Sequence, residues 1–355
     1  MLNFTVGPVM SRPETLAIAS GSAPYFRTAE FSEVVLRAEE GMLGLLHAPE
    51  GSRCVFLTSS GTGAMEAVVM GVLSPADTAV VVNGGSFGQR FADLCALHGV
   101  PAREVRLGFG RQIGAVELDE ALDGATALLV NIHETSSGLL YDMPLIARAC
   151  GERGVLLVVD AISSFVADEL DMEGLGADVV ITGSQKALAC HPGASVVALS
   201  PRAQDRVAAN PERCMYLSLR RALADGARGQ TPWTPAVATL LQLAERIGSL
   251  GGDGMERERA RIRSLAVSFR AEIAGWGLET VPENPSNAVT AIRARRGNAG
   301  EVVGAMRRDH GIWVCPNGGE HAADVFRVGH IGAISDADQD ELIAGLGDLV
   351  GRGIL

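Results

Sequence analysis

Lysine is almost absent from this chain. Of its 30 basic residues one is a lysine, Lys186, and the other 29 are arginines. Codon bias in a GC-rich genome explains the depletion, but not the survivor. A guanidinium stays protonated and cannot serve as an amine nucleophile. A lone lysine among arginines is therefore a candidate for chemistry that only a primary amine can do. Positive charge as a whole is also short. The balance of 30 basic against 42 acidic residues gives a net charge of −12, which argues against a nucleic-acid groove. Closely spaced cysteines are missing too. Cys54, Cys95, Cys150, Cys190, Cys214 and Cys315 stand far apart with no C-x-x-C pair. That excludes a zinc ribbon or a small disulfide scaffold and fits a reducing cytoplasm. No uninterrupted run of 18 apolar residues occurs, so no membrane-spanning helix is expected. The opening Met1–Pro8 lacks the basic and apolar regions of a secretion signal.

What is present is core-forming material, 47% hydrophobic against 20% charged, enough for a large folded α/β chain. The first two-thirds alternate short apolar runs with amphipathic stretches, the pattern of βαβ units and a mainly parallel sheet. Strands are expected at Cys54–Leu57, Ala79–Val82, Glu104–Leu107, Ala127–Asn131, Val155–Asp160, Val179–Thr182 and Ser195–Leu199. Helices are expected near Gly63–Leu73, Phe87–His98, Pro144–Arg153 and Pro235–Leu250. The charged stretch Met255–Ile273 reads as an exposed helix leading to a smaller C-terminal α+β region, with strands near Ala288–Arg293 and Val325–Val328. The expected organisation is an N-terminal segment over 1–20 lying at the active site, a large domain over 21–250 and a small domain over 251–355.

Ligands of open α/β sheets gather beyond the carboxyl ends of the strands, and unusual polar residues follow five of these runs. Thr58-Ser-Ser-Gly-Thr-Gly63 feeds a helix N-terminus, whose free N–H groups suit a phosphate. Its spacing is neither of the common nucleotide-binding patterns. Asn83-Gly-Gly-Ser-Phe-Gly-Gln-Arg90 sets Phe87 among small residues, where a ring can face a planar ligand. Asn131-Ile-His-Glu-Thr-Ser-Ser-Gly138 offers His133 and Glu134 as acid or base, and Thr135 and Ser136 as donors to a ligand oxygen. An apolar strand ends in Asp160, a carboxylate that needs a partner if buried. Lys186 follows the next strand, in Thr182-Gly-Ser-Gln-Lys186. Pyridoxal 5′-phosphate requires an amine, a carboxylate for its ring nitrogen, donors for its phosphate and a ring against its face. Lys186, Asp160, the Ser60-Gly61-Thr62 loop and Phe87 match those four needs. No metal-ligand spacing is present.

The chain resembles the class V, fold type I aminotransferases, in the branch of the alanine–glyoxylate, serine–glyoxylate and 2-aminoethylphosphonate–pyruvate enzymes. The motifs carrying this are Phe4-Thr-Val-Gly-Pro8, Ser59-Ser-Gly-Thr-Gly-Ala-Met-Glu66, Gly85-Ser-Phe-Gly-Gln-Arg90, His133-Glu-Thr-Ser-Ser-Gly138, Asp160-Ala-Ile-Ser-Ser164, Ser184-Gln-Lys186 and Phe326-Arg-Val-Gly-His-Ile-Gly332. The resemblance implies that Lys186 holds the cofactor as a Schiff base, Asp160 pairs with its ring nitrogen and Phe87 stacks on it. It implies contacts to the ring hydroxyl side from Gln185 and from Ser136 or Thr135. Arg327 would hold the substrate carboxylate, Gly7 would line the substrate site and Arg27 would read a second substrate charge. It also implies a homodimer with shared sites, in which Thr234 or Thr231 of the Gln230–Thr234 segment reaches the partner's phosphate.

Two features depart from that pattern. Cys190-His191-Pro-Gly follows the lysine, where packing is the expected role. Cys315 lies in Val-Cys-Pro-Asn-Gly-Gly, 12 residues before Arg327, a setting similar to the nucleophile loop of cysteine desulfurases. The expected activity is ping-pong transamination from a small amino acid or aminophosphonate to pyruvate or glyoxylate. A pyridoxal-dependent lyase on the same fold is the alternative, and a non-catalytic binding module the more distant one. Neither nucleic acid nor membrane is expected as a partner. Borohydride reduction of the cofactor-loaded protein is predicted to fix cofactor to one peptide, that containing Lys186. Label on any second peptide contradicts this reading.

Overall fold

The computed structural model describes every residue from Met1 to Leu355. Its strands in chain order are β1 (Leu2–Phe4), β2 (Arg53–Leu57), β3 (Ala79–Asn83), β4 (Ala102–Arg106), β5 (Ala127–Asn131), β6 (His133–Glu134), β7 (Leu139–Leu140), β8 (Leu156–Asp160), β9 (Val179–Gly183), β10 (Ser195–Leu199), β11 (Val289–Arg293), β12 (Ile312–Pro316) and β13 (Val325–Gly329). Seven of them form one sheet in the order β2-β10-β9-β8-β5-β3-β4. All neighbours are parallel except β10, which runs antiparallel to β2 and β9. The α/β architecture with a mainly parallel seven-stranded sheet is thus as expected. The inner strands read as unbroken apolar runs, such as Leu-Leu-Val-Val-Asp in β8, because helices cover both faces and every residue is buried.

Parallel strands need long crossovers, and the expected helices supply them. They span Gly61–Val72, Ser86–Leu97 and Met143–Arg153, with Val237–Leu250 farther along. Ser60 caps the first with its side-chain oxygen, and Asp142 caps the third. This arrangement sends the chain from the carboxyl ends of β2 and β3 directly into helix N-termini, which is where polar loops collect.

A second sheet has the order β1-β12-β13-β11. The sequence reading found β11 and β13 but neither β1 nor β12. β1 is three residues long, too short for a periodic signal, and pairs in parallel with β12 from the far end of the chain. The N-terminal segment is therefore stitched into the C-terminal sheet before it reaches the large sheet. The expected exposed helix runs from Gly254 to Gly275, but it is not exposed all round. Ile262, Leu265, Ala266, Phe269 and Ile273 form a buried stripe. Apart from the buried Glu258, its charges lie mostly on the other face, and they dominate the composition enough to mask the stripe.

This helix yields a direct test. Phe269 is fully buried and Val267 is 53% exposed. Phe269→Ala is expected to cost about 3–5 kcal/mol, and Val267→Ala no more than about 0.5 kcal/mol. Thermal melting checks it. Equal losses would contradict the assigned face.

Candidate active site

The register of the parallel strands lines up Asn131 of β5 with Asp160 of β8, and Asp160 with Ile181 of β9. Asp160 and the turn after β9 therefore share one edge of the sheet. Asp160 is buried, and one of its oxygens accepts the Ile162 N–H at 2.8 Å. Burial pushes its pKa up to about 7, and the nearby Glu134 carboxylate adds to the shift. Lys186 donates from Nζ to the Val6 carbonyl at 2.5 Å. Burial, followed by the positive charge of Arg327, lowers the pKa of its amine to about 8.

Gly7 makes that contact possible. Its φ is +123°, and a Cβ there would lie 2.7 Å from Lys186 Cδ and 2.9 Å from Nζ. No side chain fits at this position. Val9 N–H donates to the Gln185 carbonyl at 3.3 Å, holding the same segment one residue further along the lysine loop. A glycine is needed again at Gly61, where a Cβ would lie 2.2 Å from Ile162 Cδ1. The Ser60–Thr62 helix start is thereby pressed against the loop that leaves Asp160.

Glu134 was a candidate acid or base, and the structure gives it a different task. One of its oxygens accepts from the Phe87 and Gly88 N–H groups, both at 3.3 Å, and from Asn131 Nδ2 at 3.0 Å. The other accepts from the Ser136 N–H at 3.1 Å and its hydroxyl at 2.5 Å. A carboxylate with every lone pair used is an anchor. It sits at the positive end of the Ser86–Leu97 helix and fixes the half-buried Phe87. The Ser136 hydroxyl is turned to Glu134, and that of Thr135 to Ser163 at 2.8 Å. His133 is also unsuited to carry charge. It is fully enclosed, neither ring nitrogen has a partner, and burial beside Lys186 and Arg327 lowers its pKa to about 3.

Arg327 reaches this edge from β13. Its guanidinium donates to the Thr135 carbonyl at 3.1 Å and to the Pro316 carbonyl at 2.7 Å, while its buried Nε has no partner. Cys315 stands opposite it in the strand register, with its sulfur 3.3 Å from Arg327 Nη2. Cys315, whose setting in the sequence is similar to a desulfurase nucleophile loop, is therefore a strand residue, held by its backbone. Cys190 packs as expected, its thiol buried and raised to about 12, whereas His191 is exposed and is held by its backbone to Gln242 and Ser184.

One expectation falls elsewhere. Arg27 does not point at a free charge site. Its guanidinium donates to Gln230 Oε1 at 3.1 Å and the Thr231 carbonyl at 2.9 Å, so it clamps the Gln230–Thr234 segment. The Thr231 hydroxyl bonds the Trp233 carbonyl, and Ala236 N–H bonds Thr58 Oγ1. That segment therefore lies beside the end of β2 in its own chain. Val6 and Glu134 are the structural roles that the sequence reading missed. Glu134 carried a signal in its place between Asn131 and Ser136, but Val6 acts through a backbone atom and carried none.

A family model, aminotransferase class-V, matches residues 17–332. The chain belongs to this family of enzymes. It is 29% identical over 335 residues to a protein named as the small subunit of a soluble hydrogenase from Synechococcus sp., covering 92% of this chain and 87% of that one. It is 29% identical over 322 residues to the L-aspartate–glyoxylate aminotransferase of Paracoccus denitrificans, covering 88% and 81%. The solved aspartate aminotransferase of Thermus thermophilus superposes with a TM-score of 0.93 over 100% of both chains, at 28% identity.

The amine provides a pH test. In cofactor-free protein, the rate at which an amine-directed acylating reagent labels Lys186 should rise through an inflection near pH 8, because the deprotonated form reacts. An inflection near 10.5 would show that burial does not depress it.

Proposed function

We propose that this aminotransferase uses pyridoxal 5′-phosphate, attached at Lys186, to move an amino group from a small amino acid or aminophosphonate to glyoxylate or pyruvate. The observation that carries the reading is the sole lysine, buried with its amine lowered to about 8, at the same sheet edge as a buried aspartate raised to about 7. Two groups pushed in opposite directions by burial mark a site built for proton movement.

The residues present fit the cofactor. The Asp160 carboxylate is enclosed with one backbone N–H as its hydrogen-bond donor, so a protonated ring nitrogen would meet an unmet need for positive charge. Ser60, Gly61 and Thr62 open a helix whose N-terminus suits a phosphate. Phe87 is half-buried and held at its backbone by Glu134, with the Arg90 guanidinium over its ring at 4.8 Å, and it would stack on the cofactor ring in this reading. Gln185, Thr135 and Ser136 surround the ring hydroxyl side of this reading. When bound, the cofactor supplies a carbonyl carbon that exchanges amines and a ring that accepts the substrate's electrons.

The chain's own residues do the rest. Lys186 Nζ, a substantial part of it neutral at physiological pH, would accept the proton from the substrate α-carbon and hand it to the carbon that carried the cofactor's carbonyl. The Val6 carbonyl holds Nζ in position. Asp160 would hold a proton on the ring nitrogen, whose positive charge would in turn favour the ionised carboxylate. Arg327 offers a planar fork for the α-carboxylate, and Gly7 leaves the room beside Nζ that a substrate needs. We further read the enzyme as a homodimer in which Thr231 or Thr234 of one protomer completes the phosphate site of its partner. The six free cysteines support a reducing cytoplasm. The Paracoccus relative's name favours glyoxylate as acceptor and aspartate among the donors to try first. The desulfurase form of the lyase alternative needs a mobile thiol, and Cys315 on β12 does not supply one.

Parallel double-reciprocal lines are expected with a panel of amino donors against glyoxylate, pyruvate and 2-oxoglutarate. Lys186→Ala should lower turnover by at least about a thousandfold and remove the bound cofactor's visible absorption band. A variant that still transaminates at the parent rate would overturn the proposal.

A further inference from the structure

A second polar cavity, of about 270 Å³, shares no residue with the site above. It lies where Arg12 and Thr15 of the N-terminal segment meet the helices Val237–Leu250 and Gly254–Gly275, and no hydrophobic side chain lines it. Its floor holds three guanidinium groups around one buried carboxylate. Glu258 receives Arg12 Nη2 at 2.6 Å, Arg261 Nη2 at 2.9 Å and Arg246 Nη2 at 3.1 Å. One negative charge faces three positive charges.

Arg246 is the unusual member. It is 4% exposed, Nη1 donates to Ser249 Oγ at 3.3 Å, Nε has no hydrogen-bond partner, and Nη2 meets Glu258 as an ion pair without hydrogen-bond geometry. Burying a guanidinium without satisfying its donors is costly. Arg261 differs, being held by the Ile334 and Gly332 carbonyls as well. The remaining charges lie on the exposed rim. They are Glu14, Glu245 and Arg257, the last paired with Asp253. Solvent screens those charges more than the floor.

We propose that this cavity binds a small oxyanion, a phosphate or phosphoryl group, between Arg12, Arg246 and Arg261. Arginine forks match tetrahedral oxyanions with paired hydrogen bonds, and the cavity holds roughly nine water volumes, enough for a phosphoryl group with part of the molecule carrying it.

The test uses the holoenzyme, in which bound cofactor occupies the other phosphate-binding position. Calorimetric titration with inorganic phosphate should show one saturable event per protomer. Arg12→Ala should weaken it about tenfold, the loss of one charge-assisted contact, with the cofactor absorption unchanged. Glycerol 3-phosphate in parallel separates the sources: tighter binding than phosphate points to a phosphorylated metabolite, and equal binding to the free ion. Crystals soaked in selenate should give an anomalous peak within hydrogen-bond distance of the Arg12 guanidinium, a readout that needs no variant. No saturable heat, no peak, or an affinity unchanged in a folded Arg12→Ala protein would overturn the site.

Discussion

One hydrogen bond joins the parts of this molecule. Lys186 Nζ donates to the Val6 carbonyl, and the two residues lie 180 positions apart. The lysine follows β9 of the large sheet. Val6 follows β1, which is an edge strand of the small sheet. The contact exists only if both sheets are built and correctly set against each other. It also requires Gly7, since any Cβ there would collide with the lysine side chain. The same geometry removes water from the amine and lowers its pKa. Tertiary assembly and chemical activation are thus one event at this position.

Electrostatics around that contact are asymmetric by construction. Asp160 and Lys186 are both buried, and burial drives each toward its neutral form. Arg327 presses Lys186 and His133 in the same direction. A substrate carboxylate on Arg327 would offset that positive charge and so raise the basicity of the amine as the substrate arrives. Glu134 adds negative charge beside Asp160, yet it is itself quenched by Asn131, Ser136 and the start of the Phe87 helix. The result is a site whose polar groups are held rigidly while two groups retain proton affinities near neutrality.

The sequence was most legible where residues act through type and local order. The inner large-sheet strands read clearly because burial on both faces leaves unbroken apolar runs, whereas the edge strand β4, Ala-Arg-Glu-Val-Arg, is mostly exposed; the strand-end polar clusters stand out against the inner runs. Lys186 was conspicuous because arginine fills the other basic positions. Legibility failed where the partner is distant or the acting atom is backbone. Nothing in Leu2-Asn-Phe4 announces a strand, because its partner Ile312–Val314 supplies the reason. Arg27 looked free in a loop, yet its acceptors, Gln230 and Thr231, lie some two hundred residues away. Cys315 sits beside glycines in sequence, which hid its pairing with Arg327 on β13. The charged face of the Gly254–Gly275 helix outweighed its apolar stripe in composition, though not in packing.

The most direct measurement is a crystal structure of the protein with pyridoxal 5′-phosphate bound. The account predicts continuous electron density from Lys186 Nζ into the cofactor, an Asp160 oxygen within about 2.7–3.2 Å of the ring nitrogen, and the phosphate at Ser60–Thr62. Cofactor density that is detached from Lys186, or that leaves Asp160 facing no ring nitrogen, would contradict it.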